Sequence, residues 1–178
     1  MIIAADPGKK GALCALYNDG RIFKVMVMPM AGKDIDWGKV TDFIRECVTN
    51  ANGEAVTGVI EKVHAMPGQG VTSMFSFGGA FHGLRAVYAA MRVSYELVSP
   101  QGWKKVVLAG TQKDKAAATA YCRQKWPRQS LMANDRCRTV HDGITDVLCI
   151  AEFGRRTYAP ATPTTEPGDK APRQGELF

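Results

Sequence analysis

Four acidic residues stand at positions where carboxylates can do metal chemistry. Asp6 and Glu61 each close an apolar run that is expected to form a buried strand. Asp142 and Asp146 lie four residues apart, so on a helix they would share one face. A carboxylate at the rim of a buried strand is costly unless a cation or a hydrogen-bond donor neutralises it. The hard oxygen donors of such a cluster suit Mg²⁺ or Mn²⁺, and we interpret them as a two-metal site for phosphodiester cleavage.

Each acid also has an ordinary structural explanation. Asp6 precedes a Pro-Gly turn, Asp142 could cap a helix, and Asp146 could be a solvated helix residue. The set is more informative than its members, because surface charges rarely fall at two strand ends and on one helix face together.

Composition narrows the class of protein. A chain of 178 residues fits one domain, and no apolar stretch is long enough to span a bilayer. No basic segment precedes the first apolar run, so we expect a cytoplasmic protein without a membrane segment. The five cysteines are scattered and lack a CxxC pair, which favours reduced thiols. The net charge of +6 is a weak indication of a polyanionic partner.

The elements that must position the acids follow from the apolar pattern. The pattern predicts a mixed α/β sheet with helices on its faces. We expect strands at residues 1–6, 11–17, 21–28, 55–63 and 94–98, and helices at 37–50, 71–91, 104–108, 113–126 and 141–157. Apolar residues Val40, Phe43, Ile44 and Val48 predict the buried face of the first helix.

The second predicted helix carries three glycines, Gly78, Gly79 and Gly83. They would weaken an isolated helix but allow another helix to approach closely, either within the core or from a symmetry mate. After Tyr158 the composition changes to proline and threonine without apolar periodicity. Residues 158–178 are therefore predicted to be a disordered tail.

Five sequence blocks, taken in order and spacing, resemble one known family. They are Ile2-Ile3-Ala4-Ala5-Asp6-Pro7-Gly8 with Gly11, Val59-Ile60-Glu61-Lys62-Val63, Met66-Pro67-Gly68-Gln69-Gly70, Pro100-Gln101-Gly102-Trp103-Lys104, and Asp142-Gly143-Ile144-Thr145-Asp146-Val147-Leu148. Over roughly residues 1–157 the chain resembles the RuvC family of Holliday-junction resolvases, in the RNase H-like superfamily, and its phage branch more than its bacterial one.

The resemblance implies an RNase H-like nuclease domain at residues 1–157, with a five-stranded sheet of three antiparallel and then two parallel strands. It implies a homodimer that cuts four-way junctions symmetrically in a bacterial host cell, leaving 5′-phosphate and 3′-hydroxyl ends. It also makes Asp6, Glu61, Asp142 and Asp146 the catalytic ligands of two Mg²⁺ ions, which Mn²⁺ could replace. Asp6 is the best candidate to bridge both ions.

The chain departs from the family at one position. Many bacterial members place the last two acids three residues apart, and Gly143 holds that position here. The role of Asp142 is therefore less certain than that of Asp146. His141 is a second candidate for the fourth ligand position, although it could simply begin the helix.

A dispersed set of basic residues around the acids is what a DNA backbone requires. The candidates are Lys9, Lys10, Lys62, Lys104, Lys105, Lys113 and Lys115, of which the last four are favoured. His64, Met66 or Phe75 could stack or wedge at the junction centre, unless residues 64–70 are only a flexible loop. Trp103 is predicted to pack in the core.

The chain ends in Gln174-Gly175-Glu176-Leu177-Phe178. This ending resembles the peptide by which bacterial replication proteins dock on the sliding clamp. Gln174, Leu177 and Phe178 would be the contacting residues, on a proline-rich tether. Chance is the alternative, since three fixed positions are a weak pattern.

Three other functions compete with junction cleavage. Sugar-kinase and Hsp70-type ATPases begin with a similar strand followed by Asp and Pro or Gly. They need further Gly-rich nucleotide loops, which this sequence lacks. A related nuclease that acts on flaps, RNA–DNA hybrids or branched DNA in general fits the same acids. A non-catalytic DNA-binding module fits less well, because unneutralised acids would repel phosphate.

Overall fold

The apolar N-terminal run forms the central strand of a five-stranded sheet in the computed structural model, which describes residues 1–64, 68 and 70–159. The strands are β1 (Ile2–Asp6), β2 (Ala12–Leu16), β3 (Ile22–Val27), β4 (Met30–Ala31), β5 (Asp34–Ile35), β6 (Thr57–Glu61) and β7 (Tyr95–Val98). The helices are α1 (Trp37–Thr49), α2 (Val71–Ala90), α3 (Pro100–Val107), α4 (Lys115–Lys125) and α5 (Asp142–Tyr158).

The main sheet has the order β3-β2-β1-β6-β7, and the other two strands form a small hairpin. Strands β1, β2 and β3 are antiparallel, whereas β6 runs parallel to β1 and β7 runs parallel to β6. The predicted arrangement of three antiparallel and two parallel strands is therefore confirmed. Because parallel strands end at the same edge, Asp6 and Glu61 come to lie side by side.

Two helical layers cover the sheet, which explains why β1 is apolar on both faces. Ile2 and Ala4 pack in the core with α3, α4 and α5. Ile3 and Ala5 point to the opposite core, which α1 and α2 cover. Helix α5 lies across β1 and β2 and so brings its N-terminus to the edge where β1 ends.

Several details of the predicted elements differ from the structure. Helix α3 begins at Pro100 and not at Lys104, because Ser99 caps it by accepting a hydrogen bond from the Gly102 amide at 3.1 Å. Strand β6 is shorter than residues 55–63, and the β4–β5 hairpin was not predicted. On α1, Val48 is exposed, and Cys47 occupies the buried face in its place.

The glycines of α2 have different surroundings. A Cβ atom at Gly83 would lie 2.3 Å from the Trp37 ring, so this glycine lets α1 and α2 pack closely. A Cβ atom at Gly78 or Gly79 would meet no atom within 4 Å. Close packing within the core therefore explains only one of the three glycines.

Several other expectations can be compared with the described residues. All five cysteines are free thiols. Across the described part of the chain, none of the helices is both long and apolar enough to cross a membrane. Met66, the tail from residue 160 onward, and the predicted clamp contacts Gln174, Leu177 and Phe178 lie outside the described residues.

Candidate active site at the carboxyl edge of the sheet

Three of the predicted acids come together at the carboxyl edge of β1 and β6. Asp6 and Glu61 are the last residues of these two strands. Asp146 lies one turn inside α5, on the helix that crosses β1. All three carboxylates are partly buried at the sheet edge.

The charges of these acids act on one another. Burial raises the pKa of Asp6 well above its ordinary value, and the charges of Glu61 and Asp146 raise it further. Burial also raises the pKa of Glu61 and of Asp146, and the charge of Asp146 adds to the shift at Glu61. Three acids with raised pKa values form an electrostatically strained cluster when all of them ionise.

Two residues of α3 offset part of this strain. The Trp103 indole Nε1 donates a hydrogen bond of 2.7 Å to Glu61 Oε1, which lowers the pKa of Glu61 against the effect of burial. The charge of Lys104 lowers the pKa of both Glu61 and Asp146. Trp103 is buried, as predicted, but its bond to the candidate ligand was not foreseen.

Asp142 is placed differently from the other acids. It is exposed at the first turn of α5 and is paired with Lys115 of α4. Its charge raises the pKa of Asp146 but is not among the causes of the shifts at Asp6 or Glu61. Asp142 therefore lies at the border of the cluster, with a lysine ammonium as its counter-ion.

A groove of 930 Å³ opens beside the cluster. Asp6, Asp142 and Asp146 line it together with three basic residues, Lys9, Lys10 and Lys115. The start of α2 forms part of the wall through Thr72, Ser73, Ser76 and Phe77. Glu61 is not among the residues that line the groove, and its carboxylate contacts Trp103 instead.

The remaining predicted DNA contacts are spread around the groove. Lys62, His64, Lys105 and Lys113 are exposed but do not line it. Lys104 is half-buried, with its ammonium 5.2 Å from the centre of the Trp103 ring. Phe75, on the first turns of α2, is 84% exposed.

The structure gives a physical reason for the glycine that interrupts the family pattern. A Cβ atom at Gly143 would lie 2.4 Å from the backbone oxygen of Lys10. The turn after β1 thus presses directly on the first turn of α5. An acid at position 143 has no room in this packing.

His141 precedes α5 as its N-cap residue and lines the groove. Its Nδ1 atom is buried without a hydrogen-bond partner within the described residues. A buried imidazole nitrogen with no partner is an incomplete interaction, which a ligand or a water could complete. The structure therefore leaves His141 and Asp142 both open as the fourth ligand.

The donor set fits a divalent cation in its chemistry. Asp6, Glu61 and Asp146 provide hard oxygen ligands whose mutual repulsion a cation would relieve. Within residues 1–64, 68 and 70–159, no group of three or more His, Cys, Asp or Glu side chains is yet close enough to hold a metal ion. Binding would therefore require at least one side chain of the cluster to turn toward the ion.

No protein-family model and no curated protein matches this sequence. Solved structures do match its backbone. Thermus thermophilus RuvC in complex with a Holliday junction substrate matches at a TM-score of 0.60 and 15% identity, over 87% of this chain and 94% of that one. A second structure of Thermus thermophilus RuvC matches at 0.57 and 17%, over 87% and 95%.

The yeast mitochondrial Holliday junction resolvase Ydc2 matches at a TM-score of 0.50 and 16% identity, over 87% of this chain and 77% of that one. At such low sequence identities, the structural similarity supports a shared fold alone. The chain therefore has the RuvC-like, RNase H-like fold that its sequence blocks implied.

Proposed function

We propose that the protein is a metal-dependent endodeoxyribonuclease that resolves four-way DNA junctions. The observation that carries the proposal is the meeting of Asp6, Glu61 and Asp146 at one sheet edge, where the charges of Glu61 and Asp146 raise the pKa of Asp6 and the charge of Asp146 raises that of Glu61. An acidic cluster that can hold cations, beside a groove with basic walls, suits a phosphodiester better than a neutral substrate. One structural neighbour is in complex with a Holliday junction substrate and another is a Holliday junction resolvase, which supports the choice of DNA junctions.

Asp6, Glu61 and Asp146 would hold the ions. Because the charges of both other acids act on Asp6, it is the candidate for a ligand shared by the two ions. Bound Mg²⁺ or Mn²⁺ would supply an activated water and stabilise the leaving 3′ oxygen, giving 5′-phosphate and 3′-hydroxyl ends. Lys115 neutralises Asp142 in the metal-free chain and lines the same groove. It is thus in place to contact a DNA phosphate when Asp142 turns elsewhere.

The basic residues would fix the DNA around the reacting phosphate. Lys9 and Lys10 belong to the turn after β1 and line the groove beside Asp6. Lys105 and Lys113 are exposed on the segments that follow β7, where they can meet a DNA arm. These contacts position the backbone and carry no sequence information.

We assign a homodimer contact to the exposed stripe of α2. Val71 and Phe75 are each 84% exposed and one helical turn apart, and Gly78 continues the stripe with no side chain. Large exposed apolar residues beside a glycine suit a close helix contact.

Sedimentation should show a dimer that Val71→Asp weakens. Phe75→Ala tests its alternative role at the junction centre, because loss of cleavage by an intact dimer would point to DNA.

The experiment that tests the function is cleavage of a synthetic four-way junction against duplex, flap and RNA–DNA hybrid, in Mg²⁺ and in EDTA. We expect paired symmetric nicks in the junction with Mg²⁺ only. Equal cleavage of the flap or the hybrid would favour a nuclease of broader specificity. Binding without any cleavage would favour a non-catalytic DNA-binding module.

Asp6→Asn is the matched variant, since it keeps the size of the side chain and removes its charge. We expect it to lower cleavage by at least about 10³-fold while junction binding persists. Asp42→Asn, at an exposed position on α1, is the control and should cut normally. An Asp6→Asn protein that cuts at the wild-type rate would contradict the metal assignment.

A further inference from the structure

We propose that Trp103 is a positioning residue that holds Glu61 in the orientation required for metal binding. The inference rests on the proposed function, because it takes Glu61 to be a metal ligand. It assigns a functional task to a residue whose apolar ring would otherwise serve only the core. The task belongs to the indole N–H group.

The geometry is that of a directed hydrogen bond. Trp103 is 1% exposed, and its Nε1 lies 2.7 Å from Glu61 Oε1. The indole can only donate, and an ionised carboxylate can only accept, so the bond has one polarity. A short hydrogen bond from a neutral donor to a carboxylate is stronger than an ordinary hydrogen bond between an amide and a carbonyl.

The bond also divides the two oxygens of Glu61 between two tasks. Oε1 is occupied by the indole, and Oε2 has no hydrogen-bond partner among the described residues. A carboxylate fixed through one oxygen offers the other to an ion in a single direction. Trp103 therefore limits the rotation that would take Glu61 out of the cluster and leaves Oε2 available to an ion.

Helix α3 is built to keep the indole in place. Ser99 and Pro100 start the helix directly after β7, the strand that pairs with β6. Glu61 and Val98 are partners in that pairing, so the helix begins beside the carboxylate that it holds. The Lys104 ammonium lies over the Trp103 ring at 5.2 Å from its centre and adds a positive charge near Glu61.

Trp126 provides a matched control within the same chain. It is also buried, and its Nε1 donates a hydrogen bond of 2.9 Å, but the acceptor is the backbone oxygen of Gly20. Trp103→Phe and Trp126→Phe thus remove the same group from two buried sites. Only the first of them faces a candidate ligand.

The first measurement follows the indole groups of the wild-type protein by ¹H–¹⁵N NMR as Mg²⁺ is added. The chain has three tryptophans, so three indole resonances are expected. We expect the Trp103 resonance to shift with Mg²⁺, while those of Trp37 and Trp126 stay in place. An unmoved Trp103 resonance under conditions where Mg²⁺ supports cleavage would overturn the proposal.

The second measurement is calorimetric titration of Mn²⁺ into the wild-type, Trp103→Phe and Trp126→Phe proteins, with melting temperatures recorded for each. We expect Trp103→Phe to weaken Mn²⁺ binding by about tenfold or more, as is usual when the partner of a metal ligand is removed. Trp126→Phe should lower the melting temperature similarly and leave Mn²⁺ binding unchanged. Equal or tighter Mn²⁺ binding by Trp103→Phe would refute a positioning role.

Failure of this inference can be distinguished from failure of the proposed function. If the wild type and Trp103→Phe bind Mn²⁺ alike and Asp6→Asn does not bind it, the metal site stands and only the role of Trp103 is wrong. If the wild type binds no Mn²⁺, or Asp6→Asn binds it as well as the wild type, the metal assignment is wrong and the role of Trp103 falls with it.

Discussion

Asp6 has two anionic neighbours, Glu61 and Asp146, in a partly buried site. Ionising all three acids without a cation costs free energy, because burial and mutual repulsion both favour the protonated forms. The cost appears only in the folded protein, where the three side chains meet. The stability of the metal-free protein should therefore report on the cluster.

The first prediction concerns this pH dependence. The pKa values of the three acids are raised in the folded state, so between the ordinary and the raised values the folded protein binds more protons than the unfolded chain. Their contribution to the free energy of unfolding should thus fall as pH rises above about 4. Urea denaturation in EDTA measures it. Asp6→Asn should flatten the fall, and Mg²⁺ should oppose it.

An identical pH slope for Asp6→Asn and wild type in EDTA would contradict the electrostatic description of the cluster. Asp42→Asn is again the control, since Asp42 is exposed. Its slope should match that of the wild type.

Helix α5 carries both a catalytic candidate and a structural anchor. Glu152, two turns beyond Asp146, is 0% exposed and accepts hydrogen bonds from Arg155 at 2.8 Å and from Arg156 at 2.8 Å. Lys125 of α4 lies 3.2 Å from the same carboxylate. Burial alone would raise the pKa of Glu152, but the two arginines and Lys125 lower it to about 2.

The second prediction is that Glu152→Gln destabilises the protein by about 3 kcal/mol at neutral pH, because it leaves three cations without their buried partner. The folded-state pKa is lowered, so this stabilisation is present above about pH 4.5 and is lost as pH falls toward 2. Urea denaturation at pH 7 and at pH 3 would measure both values. A loss at pH 3 as large as that at pH 7 would contradict this role for Glu152.

The first turn of α5 yields a third prediction. Gly143→Ala would place a Cβ atom 2.4 Å from the backbone oxygen of Lys10, so α5 must move away from the turn after β1. We expect a loss of about 1–3 kcal/mol in stability, as in other overpacked sites, together with reduced cleavage. Thermal melting and the junction assay would measure these effects.

Gly79→Ala is the control, because a Cβ atom there meets nothing within 4 Å. This change should stabilise α2 by up to about 1 kcal/mol through helix propensity. A Gly143→Ala protein as stable and active as the wild type would show that the turn does not fix the position of α5.

In the molecule as a whole, α3, α4 and the segment between them carry the four favoured DNA contacts, Lys104, Lys105, Lys113 and Lys115. The fourth prediction is that Lys105→Gln/Lys113→Gln lowers the slope of log K against log salt concentration by up to about 1.8, or about 0.9 for each phosphate that a lysine no longer neutralises. Fluorescence anisotropy of a labelled junction at several salt concentrations measures the slope.

A variant with the same change in net charge provides the comparison. Arg45 and Arg92 are exposed in the layer of α1 and α2, on the opposite face of the sheet. Arg45→Gln/Arg92→Gln should leave the slope unchanged. Equal reductions in the two double variants would mean that net charge, and not a defined surface, determines binding.

The fifth prediction concerns the C-terminal peptide, which we still propose to dock on a sliding clamp. Leu177→Ala/Phe178→Ala should abolish capture of purified clamp while leaving junction cleavage intact. A Thr164→Ala/Thr165→Ala variant keeps the terminal peptide and should bind like the wild type. Clamp capture that does not depend on Leu177 and Phe178 would contradict the assignment.

Most of the sheet was predictable, because its strands depend on local signals. The apolar runs that end at Asp6 and Glu61 identified the two central strands, and their parallel pairing followed from the family resemblance. The predicted start of α3 at Lys104 is wrong because Ser99 and Pro100, which directly follow the strand, form a cap and the first helical residue.

The electrostatic partners in the site could not be predicted in the same way. The bond from Trp103 to Glu61 joins residues 42 positions apart, and the pair of Lys115 and Asp142 joins residues 27 apart. Neither spacing has a signature in the sequence, because only the packing of helices on the sheet brings these residues together. The close packing of the Lys10 backbone oxygen against Gly143 is likewise a tertiary contact. In the sequence it is visible only as a departure from the family pattern.

The metal assignment can be tested in one step by an anomalous-scattering map from crystals of the protein soaked in Mn²⁺. We expect two peaks about 3.5–4 Å apart at the carboxylates of Asp6, Glu61 and Asp146, with Asp6 between the peaks. Crystals of Asp6→Asn should lack them. Absence of anomalous density at these three side chains, in a protein that cuts junctions with Mn²⁺, would contradict the assignment of these acids as the metal ligands.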